Sequence, residues 1–146
     1  MNKKLILHSL VLATILFSAI NSHAQNPENW TASQLMEPAD LAQTISQKKD
    51  VPVIISIGPG ALVPNSIAIG PVNNKEGLEK FILQVKKLPK QTKIVVYCGC
   101  CPFEHCPNIR PAMEVLKGMK FTHAYLLNLP HNIKIDWIDK GYPVAQ

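Results

Sequence analysis

Residues 93–119 read KIVVYCGCCPFEHCPNIRPAMEVLKGM, and this stretch decides the fold. Lys93–Tyr97 is a short apolar run rich in β-branched residues, the signature of a strand. Cys98 follows it without a break. Cys98–Asn108 carries glycine, two prolines and polar residues and reads as an irregular loop. Ile109, Ala112, Met113, Leu116 and Met119 then recur at i, i+3, i+4, i+7 and i+10, which places one apolar stripe along a helix. The unit is strand, cysteine-rich loop, helix.

The segments on either side repeat that alternation. Upstream, Glu37–Lys48 carries Pro38 near its first helical position, with Leu41 and Ile45 four apart, and reads as a helix. Val51–Ile57 is almost continuously apolar and is bounded by Asp50 and Gly58-Pro59-Gly60. Such a run suits a strand covered on both faces of a parallel sheet. Ile67–Ile69 is a second, short strand candidate. Lys75–Leu88 sets Leu78, Phe81, Ile82 and Val85 at helical spacing and is stopped by Pro89. Downstream, His123–Leu127 is a further strand candidate, and Ile133–Lys140 a closing helix ended by Gly141 and Pro143. Strands alternating with helices of this size predict an α/β domain with right-handed crossovers. Its central sheet is mostly parallel, has about five strands, and is covered by helices on both faces.

The first residues follow another logic. Met1-Asn2-Lys3-Lys4 is basic, Leu5–Ile20 is apolar, and Ser22 and Ala24 are small. This order reads as a secretory signal peptide cleaved after Ala24. The apolar run is shorter than the roughly 20 residues that a membrane span needs. The expected organisation is a leader over 1–24, a lead-in over 25–29 and one domain over 30–146, in a periplasmic or secreted protein. The chain has a net charge of +5, with lysines scattered and no aromatic residues among them. That is an ordinary solvated surface, and neither a nucleic-acid partner nor, once the leader is removed, a membrane partner is expected.

All four cysteines fall between Cys98 and Cys106. Cysteines that staple a secreted fold would close large loops, so this clustering points to a site. A ligand in an open parallel sheet binds beyond the carboxyl ends of the strands, where Cys98 stands. The helix that follows aims free N–H groups at the same space, and these favour a thiolate. Arg110, the only arginine of the chain, would add a cationic fork for an anionic group. Asn108 is placed to cap the helix.

These residues also carry a resemblance. Ile94-Val95-Val96-Tyr97-Cys98, then Ala112 with Leu116 and Phe121, then Trp137 with Gly141-Tyr142-Pro143-Val144, resemble the rhodanese family of sulfurtransferases in order and spacing. The resemblance spans Trp30 to Val144. It implies a rhodanese-like fold and a cysteine that becomes a persulfide. Its partners would be a small sulfur-containing donor and a thiol acceptor, and no cofactor would be needed. The implied catalytic residue is Cys98, with Cys106 and Cys101 as alternatives and Arg110 and Asn108 as the anion-binding pair. The chain departs from the family in its loop: Asn108 occupies the position of the family's arginine, and Arg110 is shifted by two. Ser56-Ile57-Gly58 replaces the family's Asp-x-Arg, and Pro64-Asn65-Ser66-Ile67 its Gly-His-Ile.

A different reading stands beside this one. Cys98, Cys100, Cys101, His105 and Cys106 are soft ligands suited to copper(I) or zinc, so the loop could instead serve a non-enzymatic thiol module that binds metal or exchanges disulfides. An inactive domain used only for partner binding is a third reading.

Overall fold

The computed structural model describes residues 30–146, so the leader and the lead-in lie outside the described residues. The elements are β1 (Leu35–Met36), α1 (Pro38–Gln47), β2 (Val53–Ser56), β3 (Ile67–Ala68), α2 (Lys75–Val85), β4 (Ile94–Tyr97), α3 (Ile109–Gly118) and β5 (Ala124–Leu127). Single 3-10 turns occur at Ala32–Gln34 and Phe103–His105. All strands are parallel, in the order β1-β5-β4-β2-β3. This is the expected α/β architecture with its five strands. No helix among the described residues is long and apolar enough to cross a membrane.

β4 lies in the middle, and every one of its residues is buried. Side chains alternate across a strand, so one apolar run serves two cores. Ile94 and Val96 join Ile55, Ile57 and Leu126 on one face, beneath Phe81 and Val85 of α2 and Ile109, Ala112 and Leu116 of α3. Val95 and Tyr97 join Ile54 and Leu127 on the other face, beneath Leu41, Ala42 and Ile45 of α1. Burying each such side chain contributes about 1.5–3 kcal/mol. Cys98 continues the alternation and falls on the α2–α3 face. The Tyr97 hydroxyl accepts the Val63 N–H at 3.2 Å and lies 3.1 Å from Ser66 Oγ, so its polar end is satisfied inside the core.

The structure departs from expectation at both ends of the domain. β1 is only two residues long, too short for any periodicity, and pairs with β5. The closing helix over Ile133–Lys140 shrinks to one π turn at Lys134–Ile138. Asp136 sets that turn: its carboxylate accepts the N–H groups of His131 and Asn132 at 2.7 and 3.0 Å. Trp137, fully buried, then donates from Nε1 to the Pro143 carbonyl at 2.7 Å and meets the Tyr142 ring edge-on at 5.2 Å. This contact explains the tryptophan and the Gly-Tyr-Pro segment as one packing unit.

Candidate active site

Cys98 is the first residue past the carboxyl end of β4. The chain turns there because Gly99 takes a left-handed φ of 83° that side chains disfavour. The loop is pinned at two points: Ile133 N–H donates to the Gly99 carbonyl at 2.9 Å, and Phe103 N–H donates to the Leu129 carbonyl at 3.3 Å. Phe103 is buried, and the 3-10 turn it begins returns the chain so that Cys106 faces Cys98. Both of these thiols are buried, Cys101 is half-buried and Cys100 is exposed.

The four sulfurs lie within 4.8 Å of one another. Cys98 Sγ is 3.3 Å from Cys100 Sγ, and Cys100 Sγ is 3.5 Å from Cys101 Sγ. All four cysteines are free thiols. His105 is exposed and is not part of this group, so the set of five ligands considered from the sequence reduces to four.

Asn108 organises the inner pair. Its Oδ1 accepts the N–H groups of Val72 and Asn73 at 2.9 and 3.0 Å. With the oxygen fixed, its Nδ2 is turned toward the sulfurs, 3.5 Å from Cys98 and 3.9 Å from Cys106. The side chain makes no capping bond to α3, contrary to the capping role expected of it. It spans the loop to the segment before α2 instead.

The acidities of the two inner thiols diverge. The Cys98 and Cys106 sulfurs lie within 4.8 Å of each other, and this proximity together with burial raises the Cys98 pKa far above that of an ordinary thiol. The same neighbour lowers the pKa of Cys106, aided by the backbone N–H of Asn108 and opposed by burial. Burial raises Cys101 to about 11 and also raises Cys100. The lowered pKa expected for the strand-tip thiol is thus not found at Cys98. A helix N-terminus favours a thiolate at its mouth, but the nearer sulfur and amide donors decide which cysteine receives it.

Arg110 is placed differently from expectation. It lines a cavity of about 300 Å³ with Trp30, Gln34, Glu114 and Lys117, and no cysteine forms part of that wall. The polar side chain that meets the thiols is Asn108.

Gly58, just past β2, determines how closely the two strand ends approach. A Cβ there would lie 1.9 Å from the Cys98 carbonyl oxygen and 3.0 Å from its sulfur. Gly58→Ala is therefore expected to push the Cys98 end of β4 aside, costing about 1–3 kcal/mol as overpacking does. Urea denaturation should show the loss, and iodoacetamide should label Cys98 faster. Unchanged stability together with unchanged labelling would contradict this contact.

The fold, a parallel five-stranded sheet between helical layers, is rhodanese-like. Two solved structures share it. The rhodanese-like domain of the Anabaena sp. Alr3790 protein matches with a TM-score of 0.54 at 16% identity, over 77% of this chain and 78% of that one. The single-domain sulfurtransferase RDL2 of Saccharomyces cerevisiae matches with a TM-score of 0.52 at 15% identity, over 78% of this chain and 95% of that one. No family model matches the chain, and no curated protein matches it.

Proposed function

We propose that this chain is an exported rhodanese-like sulfurtransferase or persulfide carrier, with Cys106 as the attacking sulfur and Cys98 as its hydrogen-bond partner. One observation carries the reading. Cys98 and Cys106 lie together past the central strand, and the amide of Asn108 is directed at both sulfurs. Of the two inner thiols, Cys106 is the one whose pKa is lowered, by the neighbouring Cys98 and by the Asn108 backbone N–H. A strand end opposite a helix N-terminus is also where an α/β fold accumulates ligand-binding groups.

In the first step the Cys106 thiolate attacks the outer sulfur of a sulfane donor. With thiosulfate, the donor's S–S bond breaks, sulfite leaves with the electron pair, and Cys106 becomes a persulfide. In the second step an acceptor thiolate attacks the terminal sulfur and the Cys106 thiolate departs. The Asn108 donors stabilise the negative charge on sulfur in both states, and they are in place before the reaction begins. Cys106 is 5% exposed, so its sulfur is open only to a compact donor. Export rests on the basic, apolar and small-residue order of residues 1–24. It predicts a mature chain that begins at Gln25 on N-terminal sequencing.

The test is intact mass after anaerobic incubation of the reduced protein with thiosulfate. One added sulfur, about 32 Da, is expected on the loop peptide. Cys106→Ser should abolish loading, and Cys98→Ser should slow it. Full loading of the Cys106→Ser protein would overturn the assignment of the nucleophile. No loading of the wild type by any sulfane donor would overturn the function.

A further inference from the structure

Sulfur transfer as proposed uses two of the four thiols. Cys100 and Cys101 have no part in it, yet their sulfurs sit within 4.8 Å of the inner pair and of each other. Loop geometry accounts for the convergence. The Gly99 turn sets Cys98 and Cys100 with sulfurs 3.3 Å apart, and the Phe103–His105 turn brings Cys106 back from the far side. The anchors at Gly99 and Phe103 hold this arrangement before any ligand arrives.

Four thiolates around one tetrahedral ion with metal–sulfur bonds of about 2.3 Å are spaced about 3.8 Å apart. The sulfurs here range from 3.3 Å to under 4.8 Å apart, which brackets that spacing. Bringing these distances to that spacing takes shifts of about 1 Å. Thiolate sulfur is a soft donor, and a set made only of such donors selects copper(I) or zinc(II) over the hard cations that prefer oxygen. Two ligands are buried against the core, while Cys100 is exposed and Cys101 half-buried, so an ion could enter from solvent across that edge.

We propose that Cys98, Cys100, Cys101 and Cys106 form a four-thiolate site for a single thiophilic d10 cation, zinc(II) or copper(I). Each cysteine gives up its thiol proton to solvent as the ion binds, and no change of oxidation state is involved. The site does not depend on sulfur transfer. Because it shares Cys98 and Cys106 with that reaction, bound metal and bound persulfide exclude one another.

The experiment uses the reduced, metal-free mature protein under anaerobic conditions. Zinc(II) and copper(I) are added in separate arms against a competing chelator, and cobalt(II) serves as a spectroscopic stand-in for zinc. The expected result is one ion per chain by native mass in at least one arm, with all four thiols protected from iodoacetamide. In the zinc arm, cobalt should show the intense visible bands of tetrahedral thiolate coordination. Cys100→Ser and Cys101→Ser change residues at the exposed edge and should leave the core intact. Each should weaken binding by more than about 100-fold, since disturbing the outer shell of a metal site alone costs 10–100-fold. Both variants should still take one sulfur from thiosulfate, which separates failure of the metal site from failure of the sulfur chemistry. Retention of no ion by the wild type in either arm would overturn the proposal. So would a Cys100→Ser, Cys101→Ser double variant that binds as tightly as the wild type.

Discussion

Asn108→Ala is expected to impair stability and sulfur loading together. The side chain is 6% exposed and accepts two backbone N–H groups, those of Val72 and Asn73. Alanine leaves both donors without that acceptor, at about 1–3 kcal/mol each, so a loss of about 2–6 kcal/mol is expected in urea denaturation. It also removes the amide directed at Cys98 and Cys106. Deleting one preorganised donor slows comparable reactions by about 100- to 1,000-fold, and loading by thiosulfate should slow on that scale. Asn108→Asp separates the two effects. Its carboxylate can still accept from Val72 and Asn73, but it faces the sulfurs with negative charge where the amide donated. Stability should fall less than with alanine, while loading should be lost at least as severely. An aspartate variant that loads sulfur at the wild-type rate would remove Asn108 from the mechanism.

Trp137→Ala should be the most destabilising single change on the opposite face of the sheet. The indole is fully buried among Leu41, Val95, Tyr97 and Leu127. Large-to-small changes at such positions cost about 3–5 kcal/mol through lost burial and the cavity left behind. The Nε1 bond to the Pro143 carbonyl and the edge contact with Tyr142 would be lost as well, releasing the segment that closes the chain. Trp137→Phe keeps much of the ring and forfeits the hydrogen bond, so a smaller loss is expected. Equal denaturation midpoints for Trp137→Ala and the wild type would refute this account of the closing segment. Sulfur loading by the folded fraction should be unchanged, because Trp137 lies across the sheet from the thiols.

The sheet and its helices were legible from residue pattern alone, because burial on two faces leaves a plain mark. Ile94–Tyr97 is apolar apart from the Tyr97 hydroxyl, and the stripe from Ile109 to Met119 buries Ile109, Ala112 and Leu116 as its spacing predicts. β1 was not legible, since two residues cannot display a period. The loop was legible as a site but not in its internal arrangement. Distance along the chain favours Cys98 and Arg110. The acidity of a thiol depends on what touches it, and that was set by a 3-10 turn and by an asparagine anchored 35 and 36 residues away. Arg110 stood out by composition, but helix phase carried it into another cavity. The signals for Asn108 were its place at the helix start and opposite the family's arginine, and neither conveys which way the side chain turns.

The strand lengths have a consequence for behaviour at high concentration. The three inner strands are four residues long, while the two that border the sheet, β1 and β3, are two residues each. A border strand presents unpaired backbone groups that a second molecule can extend into a ribbon, and the hazard grows with its length. Two residues expose too few such groups to template a neighbour. The domain is thus guarded against fibrillar association by the shortness of its margins, even though its centre is built from segments such as IVVY that would adhere strongly if bared.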